Sequence, residues 1–436
     1  MNIFPISRAG GSGGRSSIQC LLDVGSSKVV CLIARLSPRT DYGLMPSRTH
    51  AVEIIGSGMQ RSRGIKSGVV VDMDEAEQAI RLAVDQAERS AGMTVDSLTV
   101  ATTAGRLSSE TFKSEISIGG REVEARDVRA VLSVASDHIS DSQRTVLHAL
   151  PIGYSLDDGQ AVDDPIGMVG RSLGVDMHVV GADAAPLRNL ELCINRLHIS
   201  VDQMVATPYA SGLASLVDDE SRMGAACIDM GGGTTSVSIF LGGNLVFADA
   251  IAVGGNHVTM DLARCLSIRI NDAERLKVLH GAVGADGIDG DDHLTVSSIA
   301  DAVGQPQQVS VAQLSQIIRP RLEETFELIR DRINRSGFAG ALGGRIVLTG
   351  GASQLTGIPD LASEILGAQS RIGRPLGISG LNKLSKGPAF AAAAGLAVYP
   401  QIEANAFADV LRPANAIRLT GNGAFARFGR WLKESF

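Results

Sequence analysis

Aromatic residues are scarce in this 436-residue chain, at 4%, so a local cluster of them is informative. Cysteine is scarce too. The five cysteines (Cys20, Cys31, Cys193, Cys227, Cys265) form no CxxC pair. Four of them sit in apolar runs, where a reduced buried thiol is the default, as in a cytosolic protein. The eight histidines are scattered without metal-ligand spacing, which argues against a zinc site. No run of eighteen apolar residues occurs, so no transmembrane helix is expected. Positive charge is not in excess: the net charge is −7, and a general nucleic-acid binder needs a basic face. The start, MNIFPISRAGGSGGRSS, lacks a long apolar run, so it does not read as a secretory signal. Its Gly and Ser content predicts a floppy tail over 1–16. What remains is a globular composition, 44% hydrophobic and 20% charged. The length calls for two or more domains.

The stretch Cys227 to Leu241, CIDMGGGTTSVSIFL, organises the rest. Its ends alternate apolar with small or polar residues, as in two half-buried strands. Between them lie Asp229, Gly231, Gly232, Gly233, Thr234 and Thr235. Glycines let backbone N–H groups turn inward to make a concave anion site, and the threonine hydroxyls add donors. Asp229, at the strand's end, is placed to hold a metal ion through water. Alone, the stretch also fits a tight glycine hairpin on a sheet edge. But SIQCLLDVGSSKVVCLIARL, from Ser17, has the same plan: an apolar strand closed by Asp23, then a turn of Gly25, Ser26, Ser27 and Lys28, then another strand. A repeated strand–Asp-x-Gly–strand unit predicts two related halves facing across a cleft, gripping a phosphate chain from both sides. It is not a Walker loop, since GxxxxGK[ST] is absent.

Between and beyond these copies the pattern is readable. Asp72 is a candidate N-cap and Gly92 a stop for a helix striped by Ala76, Ala79, Ile80, Ala83, Val84 and Ala87. From Ser97 to about Val180 strands and one helix (Ala125 to Ile139) predict a small inserted α+β domain. A helix is expected from Pro186 to Leu197, and another from about His257 behind Gly254 and Gly255. Asn271 and Glu274 have capping-box spacing. Glu274 and Lys277 point to one helix face, which also fits a plain surface pair. The four aspartates of 284–293 do not match a calcium loop. A long amphipathic helix over 311–336 is expected to break or kink at Pro320. A strand then leads to a turn at Gly350 and Gly351, where a base or ribose can approach the backbone. KGPAFAAAAGLAVYP reads as a small-residue helix for tight packing, and 401–423 as a linker.

The last thirteen residues, AFARFGRWLKESF, stand apart. On a helical wheel Phe425, Phe428, Leu432 and Phe436 fall within about 80°. Arg427, Arg430 and Glu434 lie opposite, with Trp431 and Lys433 on the flanks. Three basic side chains against one acidic, on an acidic chain, fit an interfacial membrane helix. A helix docked on the protein's own core is the alternative.

LDVGSSKV, CIDMGGGTTSVSIF and VLTGGASQLTGI resemble the two phosphate motifs and the adenosine motif of the actin/Hsp70/sugar-kinase superfamily. Within it, GIKSGVVVDMDEAEQAI, DPIGMVGRSLGVDMHVV and the terminal helix resemble the FtsA family of bacterial cell-division proteins. The resemblance covers about residues 17 to 400 plus the end. It implies an α/β, actin-like (ribonuclease H-like) two-lobed fold with duplicated mixed sheets and an inserted small α+β subdomain. In its terms, subdomain 1A takes 17–96, 181–206 and 384–400, and the insert, 1C, takes 97–180. Subdomain 2A takes 207–255 and 337–383, 2B takes 256–336, and 424–436 is the membrane-targeting helix.

The resemblance also implies ATP with Mg in the cleft. Asp23, Gly25, Ser26, Ser27 and Lys28 would form the first phosphate loop, and Asp229 with Gly231 to Thr235 the second. Glu274 and Lys277 would lie near ribose and base, and Gly350 and Gly351 would form the adenosine loop. It implies a homopolymer on the cytoplasmic side of the inner membrane at the division septum, with the lipid surface met by the terminal helix. The FtsZ C-terminal tail would be held near Arg321 and Glu324 in IIRPRLEETF, and later division proteins through the insert. No nucleic acid is implied. Two departures bear on chemistry. Ser236 stands where many superfamily members have Asp, and VATPYASG lacks the Glu or Gln that positions water. Tight ATP binding with slow hydrolysis, or none, is therefore expected, with no catalytic residue assigned. The rival readings are an actin-like assembly protein of another system, such as pili, and a sugar kinase of the same superfamily. The kinase would need a catalytic Asp near a sugar pocket and leaves the terminal helix without a role.

Overall fold

The computed structural model describes residues 16–39, 45–140, 144–157, 159, 161–284, 293–297, 306–382 and 385–402. The expected tail (but for residue 16), the acidic stretch 285–292, the linker beyond 402 and the helix 424–436 lie outside the described residues.

β1 (Ser17–Val24), β2 (Lys28–Pro38) and β3 (His50–Arg61) form an antiparallel run. A two-strand hairpin of β4 (Ile65–Lys66) and β5 (Val69–Val70) leads to α1 (Met73–Ala91). Asp72 caps α1 by accepting from the N–H groups of Asp74 and Glu75. Gly92 ends it in the left-handed region at φ 67°. The six stripe residues expected to be apolar are the ones α1 buries. β6 (Ser97–Thr102) returns parallel to β1.

The insert follows: β7 (Ser108–Glu122), α2 (Ala125–Ser140), β8 (Thr145–Leu156), β9 (Ala161–Val162) and β10 (Val169–Ala182). Its own core packs Val128, Val131, Leu132 and Ala135 of α2 on Leu173, Val175 and Met177 of β10. α3 (Ala184–Asn195), β11 (Ser200–Ala206), α4 (Thr207–Ser215) and α5 (Asp218–Met223) lead to the second half. That half opens with β12 (Ala225–Met230), β13 (Thr235–Leu241) and β14 (Asn244–Ile251). α6 (Gly255–Cys265), α7 (Ile270–His280), β15 (His293–Ser297), β16 (Pro306–Ser310) and α8 (Val311–Arg335) come next. β17 (Arg345–Thr349), α9 (Ile358–Leu366), β18 (Gln369–Ile372), β19 (Ile378–Ser379) and α10 (Ala391–Val398) complete the order.

The duplication expected from the two Asp-x-Gly units extends through both sheets. One sheet runs β11-β6-β1-β2-β3-β19, and the other begins β18-β17-β12-β13-β14. In each, an antiparallel run of three strands is extended on its first strand's free side by two parallel strands. The second sheet continues into β7-β10-β8-β9 of the insert, joined at Asp249 opposite Ser108. Each central sheet is covered on both faces, so β2 is buried from Val29 through Leu32 without alternation. α1 and α3 cover the outer face of the first sheet. α6, α8 and α9 cover that of the second. α4 and α10 lie in the core shared by both.

Five expectations need correction. β6 pairs with β1 and β11, so the chain leaves the first sheet only after Thr102, not at residue 97. A strand reads alike in either location, because its partner is not written in it. α7 starts at Ile270 behind Arg269, so Asn271 is inside the helix and caps nothing. α8 is one continuous helix through Pro320, so the expected interruption does not occur. Pro320 and Gln316, four residues before it, are both exposed, so the carbonyl deprived of its N–H partner faces water. α6 and α3 each start two residues earlier than expected, and α3 ends at Asn195, two before Leu197.

Candidate functional site

Both Asp-x-Gly units fold into the same turn. Gly25 N–H donates to Lys28 O at 3.0 Å, and Gly231 N–H donates to Thr234 O at 2.9 Å. The turns face each other. A Cβ on Gly232 would lie 2.9 Å from Ser27 Cβ, and one on Gly233 would lie 2.7 Å from Ser26 Cβ. None of Gly231, Gly232 and Gly233 has positive φ. Gly232 and Gly233 are glycines because the opposite loop leaves no space for a side chain, and Gly231 because a Cβ there would lie 2.9 Å from Thr234 O of its own turn; none is required by left-handed backbone. The first carbonyls of the second turn are held by the start of α6: Gly255 N–H donates to Gly231 O at 2.9 Å and Asn256 N–H to Gly232 O at 2.7 Å.

A third turn joins them. Gly350 has φ 86°, and a Cβ there would strike Asp229 Oδ1 and Met230 O. Its N–H donates to Pro388 O at 3.1 Å, which ties the turn to the lead-in of α10. Together the turns enclose a cavity of about 610 Å³, enough for a nucleotide-sized ligand. Asp23, Gly25, Ser26, Ser27, Lys28, Asp229, Gly231, Gly232, Gly233, Thr234, Glu274, Lys277, Gly350 and Gly351 all line it. Thr235 does not. It lies fully buried on β13, and its hydroxyl has no partner among the described residues.

The electrostatics follow from burial. Asp23 is pushed up to about 6, chiefly by desolvation, with Lys28 opposing and the like charge of Asp229 adding to the rise. Desolvation also raises Asp229, against the hydrogen bond from Ser211 Oγ and the pull of Lys28. Lys28 is lowered by its own burial. Its ammonium donates to Ala389 O at 2.6 Å and lies 4.8 Å over the Phe390 ring. The Glu274–Lys277 pair is no surface pair. Lys277 is buried, and its Nζ donates to Gly255 O (3.0 Å), Thr259 Oγ1 (2.8 Å) and Glu274 Oε2 (2.7 Å). All three ammonium protons are thus used.

The cavity wall also contains residues beyond those assigned to it from the sequence: Thr103, Thr207, Ser236, Asn256, Gln354 and Ala389, of which Ser236 and Gln354 lie inside the motifs themselves. Thr207 begins α4 inside VATPYASG, and Asn256 follows the Gly254–Gly255 pair, so both sit where a glycine turn or a polar helix start marks the sequence. Thr103 meets Thr234 across the cleft, Oγ1 to Oγ1 at 3.3 Å, and no local signal announces it. Ser236 is buried in the wall with an unpartnered hydroxyl among the described residues. Arg321 and Glu324 lie elsewhere, on α8. Arg321 Nε donates to Asp261 Oδ2 at 2.7 Å, and its Nη1 pairs with Glu324. Phe425, Arg427, Phe428, Arg430, Trp431, Leu432, Lys433 and Phe436 lie outside the described residues. Among the described residues, no helix is long and apolar enough to cross a membrane, and no cluster of three or more metal-type ligands occurs.

Comparison with known proteins places this geometry. Residues 226–395 match the family model for cell division protein FtsA. Residues 104–181 match the model for the SHS2 domain inserted in FtsA. The chain is 55% identical over 431 residues to cell division protein FtsA of Agrobacterium fabrum, covering 98% of this chain and 96% of that protein. Among solved structures, it is similar to a chain of the PilM–PilN type IV pilus biogenesis complex, with TM-score 0.59 at 14% identity, over 88% of this chain and 98% of that one. It is also similar to MreB5 of Spiroplasma citri bound to ADP, with TM-score 0.51 at 12% identity, over 91% and 97% of the two chains.

Proposed function

The chain belongs to the FtsA family of cell division proteins and has an actin-like fold, and on that premise we propose that it is an ATP-dependent membrane adaptor of the division septum. The observation that carries this reading is the pair of matched Asp-x-Gly turns facing each other on one cavity. Backbone N–H groups and the hydroxyls of Ser26, Ser27 and Thr234 would receive the phosphates. Gly350 and Gly351 would take the adenosine, with Glu274 and Lys277 beside the ribose and base.

Magnesium fits the donor set. Two carboxylates, Asp23 and Asp229, share the cavity, and burial works against the charge on each. A divalent cation, held by Asp229 through water, would supply the missing positive charge and neutralise the phosphates. The need is real, since Lys277 is fully engaged within the wall and Lys28 is turned toward Ala389. Thr207 opens α4 at the wall in the segment that lacks Glu or Gln. Slow hydrolysis at most is the consequence, and the site acts as a clamp.

The clamp would serve assembly. ATP held by both halves fixes the angle between the lobes, and so the shape a subunit offers to the next copy. The helix 424–436 would hold the polymer on the cytoplasmic face of the membrane. The FtsZ tail would dock beside Arg321, exchanging with the half-exposed Glu324, and the insert would recruit later division proteins. Sedimentation with anionic liposomes, with and without Mg·ATP and FtsZ, tests the whole. Lipid-bound protein that carries FtsZ down, more so with ATP, is expected. Binding to neither lipid nor FtsZ would overturn the proposal, and phosphorylation of a sugar would replace it.

A further inference from the structure

The cavity's mouth has a contact that none of the phosphate or adenosine turns supplies. Arg61 Nη2, at the end of β3, donates to Asn271 Oδ1 on α7 at 3.4 Å. Neither residue lines the cavity itself, but each adjoins one of its opposite walls. Arg61 stands opposite Lys28 in the β2–β3 ladder, and Lys28 lines the first wall. Directly opposed residues in an antiparallel pair project to one face. Asn271 precedes Glu274 by three on α7, so the two share a helix face, and Glu274 lines the second wall. The contact therefore spans the cleft on the solvent side of the groups that face its interior.

The anchor points on both sides are fixed. The residue after Arg61, Ser62, donates its N–H to Ser27 O at 3.0 Å, so the end of β3 moves with the first phosphate turn. On the other side, Lys277 ties α7 to Gly255 O at the start of α6, which in turn holds the carbonyls of Gly231 and Gly232. Arg61 and Asn271 themselves are exposed, so their bond can break and re-form without disturbing a core. We propose that Arg61 and Asn271 form a latch over the cleft mouth, which positions the two walls against bound nucleotide and retards its release. The latch rests on the ATP reading of the cavity. Its action is read most directly in residence time, since a bond across the mouth opposes the opening that release requires.

The test measures release of radiolabelled ATP, with Mg, from the full-length protein into excess unlabelled ATP, alongside the association rate. Arg61→Ala and Asn271→Ala should each release ATP roughly three- to tenfold faster, in line with losing one charge-assisted hydrogen bond. Association should not be slowed, and release from the double variant should be no faster than from either single one. Arg61→Lys should restore much of the retention. Asn271→Asp turns the contact into an ion pair and should slow release, an effect that must vanish when Arg61 is Ala. General destabilisation cannot produce that gain. Release unchanged in both alanine variants, or faster in Asn271→Asp, would overturn the latch while wild-type binding keeps the ATP site intact. A wild-type protein that retains no ATP overturns the site itself, and the latch with it.

Discussion

Asp23 stands in the cavity at a cost. Its carboxyl is pushed up to about 6 by burial and by Asp229, against an ordinary value of 3.8. A group whose folded value lies above its unfolded one holds its proton more tightly when folded. Stability without ligand is therefore greatest below about pH 4 for this group and falls as pH rises through about 6. At pH 7 the penalty is of the order of 3 kcal/mol. Asp23→Asn should stabilise the ligand-free protein at pH 7 by about 1–3 kcal/mol in urea unfolding, with the gain shrinking at pH 4.5. The same variant should bind Mg·ATP more weakly. A variant that is less stable at pH 7 and no better at either pH would show that burial does not strain this carboxylate. Gly232 makes the complementary point. A side chain there meets Ser27, so Gly232→Asp fills the grip and adds a like charge, and equilibrium dialysis should detect no ATP binding. At this scale the sequence was highly legible: glycines, hydroxyls and carboxylates at fixed spacing state their chemistry locally. Thr103 and Ser211 were not, because each acquires its role from a partner far along the chain.

Elements were legible in proportion to how local their causes are. α1 carries its cap, stop and stripe within its own residues, and all three hold. α8 misleads because Pro320 reads as a breaker until its solvent-facing position is known. β6 reads as a strand, but only its pairing assigns it to the first sheet. The helices α4 and α10 show what small residues are for. A Cβ on Gly395 would run into the Ala210 carbonyl of α4, and one on Gly212, on the side of α4 toward β13, would lie 2.7 Å from Phe240 Cζ. The two helices approach so closely that neither backbone can yield. α10 starts beside Ala389 and Ala392, which line the cavity, and α4 starts at Thr207, which does too. Separating the helices therefore also displaces the cavity wall. Gly395→Val should cost about 1–3 kcal/mol or more in urea unfolding, and ATP affinity should fall with it. Normal affinity in a destabilised variant would separate the helix contact from the cleft.

At the scale of the molecule, the two matched turns forecast the duplicated sheets, because a cleft gripping one ligand from both sides needs two similar floors. The continuity of the insert with the second sheet, through Asp249 opposite Ser108, was not forecast, since a single shared pair leaves no pattern in sequence. The cleft and the proposed terminal helix should be separable. Among the described residues, none that lines the cavity lies beyond Ala392, while the amphipathic segment begins at residue 424. Deleting 424–436, or changing Phe428 and Leu432 to Glu, should therefore abolish sedimentation with liposomes while leaving ATP affinity within twofold. If 424–436 binds lipid as proposed, its apolar face would contribute only about 4–8 kcal/mol gross per copy, before the cost of folding a helix. A single subunit should then exchange on and off the membrane, and firm attachment should require several subunits joined in one polymer. Dilution separates the two regimes: sedimentation should fall steeply below the assembly concentration. A lipid affinity independent of protein concentration would mean that one helix is enough and that the polymer is not the anchor.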